Sequence, residues 1–155
     1  MSDGVLISED LQGIGATYCS ILSFDKNNMI IYKKSSNPEW AEEFTSHDHY
    51  KSCHLLLASQ EMLKINTGNF IVAWDIHKPF TDEAHELDEI RKKSNICHGI
   101  GFCWNGENGH TLVNIAGSYY DYNFGANVLR GKADVYKELY KTLVPLSSNY
   151  QLPTK

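Results

Sequence analysis

The apolar and polar positions at the start of the chain predict a short helix followed by a β-hairpin. Residues 6–14 have helical spacing, with Ser8 in the first turn and glycines at the end. Residues 17–24 and 29–33 are rich in β-branched and aromatic side chains, and a polar turn at 25–28 separates them. These two segments are therefore predicted to pair as antiparallel strands.

The next segments alternate between helical and extended patterns. Pro38 begins a helix, because its missing N–H costs nothing in a first turn, and Trp40 and Phe44 share one face of that helix. Residues 53–59 form a short apolar run that is compatible with either a helix or a strand. Residues 69–76, which read NFIVAWDI, are predicted to form a strand.

Residues 81–93 have the pattern of a surface helix that covers one face of a sheet. Three apolar side chains form the stripe expected to be buried, and two ion pairs with i, i+4 spacing are expected on the exposed side. The stripe is Ala84, Leu87 and Ile90, and the pairs are Asp88/Lys92 and Glu89/Lys93.

A second hairpin and a final helix complete the predicted elements. Residues 98–104 and 110–116 flank the glycine-containing turn 105–109, as in a hairpin. One helix is predicted over 124–143, weakened at Gly131. Its expected apolar stripe is Leu129, Ala133, Tyr136, Tyr140 and Leu143.

This order of elements predicts an α+β fold with a five-stranded, largely antiparallel sheet and helices on both faces. The glycine-rich signatures of phosphate-cradling loops, GxGxxG and GxxxxGK[ST], do not occur in the sequence, so a nucleotide-binding fold has no support. The polar, proline-containing end predicts a boundary between a domain at 1–146 and a tail or linker at 147–155.

Composition narrows the functional class. A chain of 155 residues with 42% apolar side chains fits one globular domain. The net charge is −5 and only two arginines occur, Arg91 and Arg130, so nucleic-acid binding through this domain is not expected. The sequence has neither an apolar run long enough to span a membrane nor a signal peptide, and a cytoplasmic location with reduced cysteines is predicted.

Two kinds of chemistry are considered and not predicted. The side chains of a metal site occur close together between His47 and His54, but helical spacing places them on two different faces. A cysteine hydrolase needs a histidine beside the thiol in space, whereas Cys53 and Cys97 have histidines only as sequence neighbours. We therefore predict no metal, no cofactor and no enzymatic activity.

Three aromatic side chains form the remaining candidate site. Trp40, Phe44 and Trp74 are expected near one another, and packing in the core is the simpler interpretation of such residues. A buried indole N–H needs an acceptor, however, and a carbonyl group of a ligand is one alternative.

The wider pattern resembles the autoinducer-binding domain of LuxR-type quorum-sensing regulators over roughly residues 5 to 145. The segments that carry the resemblance are NPEW followed by Phe44, a strand ending in Ala73-Trp74, and then HGIGF, NG and TLVNIAGS. The resemblance implies an α/β/α sandwich that encloses an acyl-homoserine lactone between its sheet and a layer of helices. It also implies that the domain commonly dimerises.

The resemblance assigns six candidate ligand-binding residues. Trp40 matches the tryptophan whose N–H donates to the lactone carbonyl, Phe44 matches an aromatic position, and Trp74 matches the tryptophan that walls the lactone ring. Asn114 and Ala116 lie on the late strand that faces the acyl amide. His54 stands where the family has an aspartate that accepts the N–H of the ligand amide.

Three departures from the family change the expected function. An imidazole at His54 replaces a charged acceptor, so binding of a standard acyl-homoserine lactone should be weaker by roughly 1 kcal/mol or more. Ser36 or Asn37 replaces a tyrosine, and the sequence stops before the helix-turn-helix domain that follows in the family.

The sequence therefore predicts a regulatory domain that binds a small signal molecule, with altered or lost lactone specificity. The alternative is an interaction module that forms heterodimers with a full-length regulator and inhibits it, through the stripe of the last helix. A homodimer is also a possible assembly under the resemblance.

Overall fold

The computed structural model of the protein describes residues 7–65, 70–106 and 109–142. Its helices are α1 (Glu9–Gly13), α2 (Pro38–Thr45), α3 (His54–Ile65), α4 (Asp82–Lys93), α5 (Phe124–Arg130) and α6 (Lys132–Thr142). Its strands are β1 (Tyr18–Asp25), β2 (Ile30–Ser35), β3 (Phe70–Ala73), β4 (Cys97–Gly106) and β5 (Gly109–Gly117). Two segments, Ser46–Ser52 and Trp74–Ile76, form 3-10 turns.

The five strands form one sheet in the order β2-β1-β5-β4-β3, and every neighbouring pair is antiparallel. Successive side chains of a strand point to opposite faces, so each strand contributes to two different layers. Helices cover both faces, and the predicted α+β fold class with its five-stranded antiparallel sheet is confirmed.

One face of the sheet, here called the packed face, lies under α1, α5 and α6. It carries Ile21, Ile100 and Ile115, which pack with apolar side chains of the three helices. The opposite face, here called the cavity face, carries Leu22 and Leu112 and lies under α2, α3 and α4. The two faces alternate along the same strands.

Side-chain caps explain where several helices begin. The Asn37 Oδ1 atom accepts a hydrogen bond from the N–H of Trp40 at 3.0 Å, just ahead of the proline that starts α2. The Thr81 hydroxyl accepts from the N–H of Ala84 at 3.0 Å and caps α4. Ser8 caps α1 in the same way, which agrees with the predicted first turn, while Leu6 lies outside the described residues.

Two segments differ from the sequence-based expectations. The run 53–59, which was compatible with helix or strand, lies in α3 from His54 onward, and this helix continues to Ile65, while Cys53 precedes it. The strand predicted over 69–76 is shorter: it ends at Ala73, and Trp74 lies on a 3-10 turn that brings its indole over Gly99. Asn69 lies outside the described residues.

The single helix predicted over 124–143 is also corrected. The chain forms two helices that meet at Gly131, the C-cap of α5. The buried stripe lies one position earlier than predicted: Leu129 is 41% exposed, whereas Val128, Val135 and Leu139 are buried against the packed face. The side chains of the other predicted stripe residues, Ala133, Tyr136, Tyr140 and Leu143, lie outside the described residues, as does the predicted boundary at 146.

Membrane insertion through a helix has no candidate in the described ranges, because none of their helices combines enough length with enough apolar character to cross a bilayer.

Candidate functional site

A cavity of about 60 Å³, measured as space open to the centre of a water molecule, lies between the cavity face and helices α2, α3 and α4. The floor of the cavity is a row of five residues, one from each strand, that are register partners across the whole sheet. The row consists of Ser35, Ser20, Asn114, Gly101 and Val72. Since a single water needs only about 10–15 Å³ by this measure, the space holds a small group.

Two glycines of the HGIGF segment create room on this face. A Cβ atom built on Gly99 would lie 2.4 Å from the indole of Trp74. One built on Gly101 would lie 2.9 Å from the Asn114 Oδ1 atom and 3.9 Å from the indole nitrogen of Trp74. The residues between and after them, Ile100 and Phe102, point to the packed face. The glycines therefore allow the Trp74 indole and the Asn114 amide to lie close to the β4 backbone on this face, while large apolar residues fill the other.

The walls of the cavity are largely apolar and come from the helices. Trp40 and Phe44 of α2 lie with their ring centroids 5.7 Å apart. α3 contributes Leu55 and Leu56, and α4 contributes Leu87. An apolar cavity with a few polar groups is typical of a small-molecule site.

Five of the six residues proposed from the sequence line the cavity, and one does not. Trp40, Phe44, His54, Trp74 and Asn114 line it, although they come from α2, α3, a turn and β5. Ala116 is fully buried in the apolar cluster that contains both tryptophans, and the cavity lining does not include it.

Hydroxyl and amide groups cluster on the sheet side. The Asn114 amide donates to the Ser20 hydroxyl at 3.3 Å. Burial raises the pKa of the Tyr18 phenol, and this effect outweighs hydrogen bonds with Ser20 and Ser35 that lower the pKa. These groups offer donors and acceptors without net charge, so they suit a neutral polar part of a ligand.

A buried ion pair on α4 was not anticipated from the sequence. Asp88 was expected on the exposed side, but it is only 7% exposed and lines the cavity together with Arg91. Arg91 donates to the Asp88 carboxylate and to the Ile96 carbonyl oxygen, the latter at 2.7 Å. Its guanidinium also lies 4.8 Å from the centre of the Trp74 ring.

A helical stripe could have revealed this pair. Its members, Ala84, Leu87, Asp88 and Arg91, follow the i, i+3, i+4, i+7 spacing. The predicted Asp88/Lys92 pair does form, at 3.0 Å, while no Glu89/Lys93 pair is found in the described part of the chain. Burial raises the pKa of Asp88, but Arg91 and Lys92 outweigh it, so the pKa is lowered and the carboxylate stays ionised at neutral pH.

His54, the first residue of α3, is buried beside this ion pair. Burial lowers the pKa of its imidazole, against the opposing effect of Asp88. The ring is therefore neutral near pH 7 and has one nitrogen able to accept a hydrogen bond.

A second, larger cavity of about 310 Å³ adjoins the first and is more polar. The two cavities share four lining residues, His54, Trp74, Asp88 and Arg91. On its far side lies His98, which has a φ of +52° at the point where the register between β4 and β5 shifts. The His98 ring bridges two acceptors, with Nδ1 2.9 Å from the Asp75 carboxylate and Nε2 2.9 Å from the Tyr119 carbonyl oxygen.

Metal and thiol chemistry find little support in this arrangement. Within the ranges that the structure describes, no three His, Cys, Asp or Glu residues are grouped to hold a metal ion. The side chains of His47, Asp48 and His49 lie outside the described residues. Burial raises the pKa of the Cys53 thiol, which makes it a poor nucleophile at neutral pH.

Comparison with known proteins places the fold. The chain is similar in structure to CepR2 from Burkholderia cenocepacia, an N-acylhomoserine-lactone-dependent transcription factor of the LuxR family, with a TM-score of 0.60. The match covers 87% of this chain and 79% of that chain at 9% sequence identity. No protein-family model matches the sequence, and the comparison with curated proteins gave no match. The likeness therefore shows a shared fold.

Proposed function

We propose that this chain is a regulatory domain that binds a small amphipathic signal molecule in the cavity over its sheet. The observation that carries the proposal is the cavity itself, with apolar helical walls and a row of polar groups across the sheet. A protein of the same fold depends on an N-acylhomoserine lactone. That ligand combines an apolar chain with a polar head, which is the chemistry that this lining suits.

The cavity residues have separate roles in this proposal. Trp40 and Trp74 enclose the polar end of the ligand, and an indole N–H donates to a ligand carbonyl. Phe44 contacts the apolar chain, Asn114 supplies an amide near the ligand amide, and Ala116 supports the two indoles from below.

His54 sets the specificity in this proposal. A neutral imidazole accepts one hydrogen bond, and it replaces the charge-assisted bond that a carboxylate would make. We therefore expect a preferred signal that differs from standard acyl-homoserine lactones, which should bind with reduced affinity.

The proposal also concerns the location of the domain, catalysis, DNA binding and the alternative function. The domain acts by binding in the cytoplasm, without catalysis, and any DNA binding belongs to other residues. The alternative, an interaction module that inhibits a regulator through the last helix, has no supporting observation in the described part of the chain. There, Val135 and Leu139 of α6 pack against this chain's own sheet.

Thermal unfolding with a panel of acylated amphiphiles tests the proposal. The panel contains acyl-homoserine lactones of several chain lengths, their ring-opened forms and the matching N-acyl amides. A ligand at 100 times its Kd adds about 2.7 kcal/mol to the free energy of unfolding, which raises Tm by several degrees.

Two tryptophan variants locate the binding. Trp40→Phe should reduce the ligand-induced rise in Tm, whereas Trp104→Phe should leave it unchanged, because Trp104 is buried in the core of the packed face. The proposal is wrong if no member of the panel raises Tm, or if the two variants respond alike.

A further inference from the structure

We propose that the second, polar cavity receives the anionic head of the ligand, so that the preferred signal is an acylated molecule ending in a carboxylate. Its apolar chain lies between the sheet and α2, and its head passes Arg91 into the polar cavity. This inference rests on the function proposed above and specifies the ligand class.

The two cavities are placed to hold one molecule. They share lining side chains, among them Trp74 and Arg91, so they lie next to each other. The apolar cavity measures about 60 Å³ and the polar cavity about 310 Å³ by the same measure. The larger space is therefore on the polar side, which suits a head group larger and more strongly hydrated than a closed lactone ring.

The charges around the polar cavity favour an anion. Asp88 is shared between Arg91 and Lys92, so this group of three carries one excess positive charge. Lys78 also lines the cavity and makes no ion pair among the described residues. The chain as a whole has a net charge of −5, so this concentration of positive charge runs against its overall composition.

The second carboxylate of the cavity is also paired. Tyr119 offers a carbonyl oxygen to one ring nitrogen of His98, and Asp75 offers a carboxylate to the other. Both groups are hydrogen-bond acceptors that hold the His98 ring in place. With His98 left out of the count, the cations Arg91, Lys92 and Lys78 outnumber the two carboxylates of the lining, Asp75 and Asp88, so one excess positive charge remains.

Arg91 is the group suited to contact the head. Its described hydrogen bonds, to Asp88 and to the Ile96 carbonyl, use two of its five N–H groups. The Trp74 ring and these two acceptors fix the orientation of the guanidinium. A fixed guanidinium with donors to spare is suited to bind a carboxylate.

The test compares N-octanoyl-homoserine lactone with its ring-opened form. The two compounds have the same acyl chain, but the ring-opened form carries a carboxylate and a hydroxyl in place of the lactone. Binding to the full chain is measured at pH 7 by tryptophan fluorescence and calorimetry. We expect the ring-opened form to bind about tenfold more tightly, since it alone presents a carboxylate that can form an ion pair with Arg91. Raising the salt concentration should weaken binding of the ring-opened form and leave the lactone nearly unaffected.

Three variants separate the head site from general effects on folding. Lys78→Gln removes an exposed charge from the cavity and should weaken binding of the ring-opened form by roughly threefold. Lys93→Gln removes an exposed charge from α4 outside the lining of either cavity and should change nothing. Arg91→Lys keeps the charge but loses the planar guanidinium group. This variant, if it remains folded, should bind the ring-opened form about tenfold more weakly.

The outcomes distinguish this inference from the function on which it rests. If the lactone binds as tightly as the ring-opened form, or if Lys78→Gln and Lys93→Gln behave alike, the head-group inference is wrong while the proposed function stands. If neither compound binds and no other amphiphile of the panel raises Tm, the proposed function fails and the inference fails with it.

Discussion

The two faces of the sheet are built from the same strands but differ in what they bury. The packed face holds a continuous apolar core of isoleucine, valine and phenylalanine side chains under α1, α5 and α6. The cavity face holds two smaller apolar clusters, a cavity, and buried polar side chains that include His54, Asp88 and Arg91. One layer is close-packed, and the other leaves space.

This difference indicates a division of tasks between the faces. A close-packed layer stabilises the fold through apolar burial, with no need for polar partners. Cavities and buried charges cost stability unless they are compensated, so their concentration on one face points to a site retained for binding. If this division is correct, matched substitutions on the two faces should have different consequences.

The largest expected effect comes from truncating matched residues of β5. Ile115 is fully buried on the packed face, and Leu112 lines the cavity on the other. Ile115→Ala should lower the free energy of unfolding by about 4 kcal/mol, because a close-packed site leaves a new void. Leu112→Ala should cost about 2 kcal/mol, since part of its surroundings is already empty. Chemical denaturation of both variants measures the difference.

Equal losses in these two variants would contradict the comparison, because they would mean that both faces are packed alike. The denaturant m value should stay unchanged in both, which shows that the substitutions act on the folded state.

The second prediction concerns His110, a polar residue at the far end of the cavity face. It is 3% exposed, stacks on Phe24 at 4.7 Å, and its Nε2 atom has no hydrogen-bond partner in the described part of the chain. Burial lowers the pKa of its imidazole to about 4, compared with 6.5 in an exposed histidine. The unfolded chain therefore binds a proton more readily than the folded one.

The direction of the pH effect follows from this difference. Stability from the neutral ring is fully present above pH 6.5 and is lost as the pH falls from 6.5 towards 4, by about 3 kcal/mol in total. His110→Phe should remove this part of the acid sensitivity, while substitution of the exposed His85 by Gln should not. Equal slopes of stability against pH in His110→Phe and the parent chain would show that the ring is not buried in this way.

The packed face was largely predictable from the sequence. Its strands are rich in β-branched and aromatic residues, and its turns carry recognisable residues, such as Asp25, whose carboxylate accepts two backbone N–H groups in the first hairpin. The exception is the helix pair at Gly131. The stripe predicted from Leu129 onward lies one position too late, because Val128, Val135 and Leu139 are the buried residues and Leu129 is exposed.

The cavity face was predictable only in part. Aromatic spacing and the resemblance indicated Trp40 and Trp74, both of which line the cavity. The Asp88–Arg91 pair was missed because charged residues were assigned to the solvent, although they complete a helical stripe. Burial of charges depends on partners from other elements, here the Ile96 carbonyl and the Trp74 ring, and the spacing within one helix does not reveal these partners.

A smaller effect is expected from adding a methyl group where a glycine allows a close contact. A Cβ atom at Gly99 would overlap the Trp74 indole, so Gly99→Ala should displace that ring and cost about 2 kcal/mol of stability. The tryptophan emission spectrum should change as well. At Gly13 a Cβ atom meets nothing within 4 Å, and Gly13→Ala serves as the control with little effect on either measurement. An unchanged spectrum in Gly99→Ala would contradict the close contact between Gly99 and Trp74.

The smallest effect on stability, and the sharpest contrast in function, is expected from removing one helix cap on each side of the sheet. Ser8 caps α1 over the packed face, and Asn37 caps α2 over the cavity. Either residue changed to alanine should cost about 1 kcal/mol, because each leaves a backbone N–H without its acceptor.

Asn37 also fixes the first turn of the helix that carries Trp40, so Asn37→Ala should weaken binding of the acylated ligand severalfold while Ser8→Ala leaves it unchanged. Denaturation and ligand titration of the two variants separate these effects. If the two caps affected stability and binding in the same proportion, the division between a stabilising face and a binding face would be wrong.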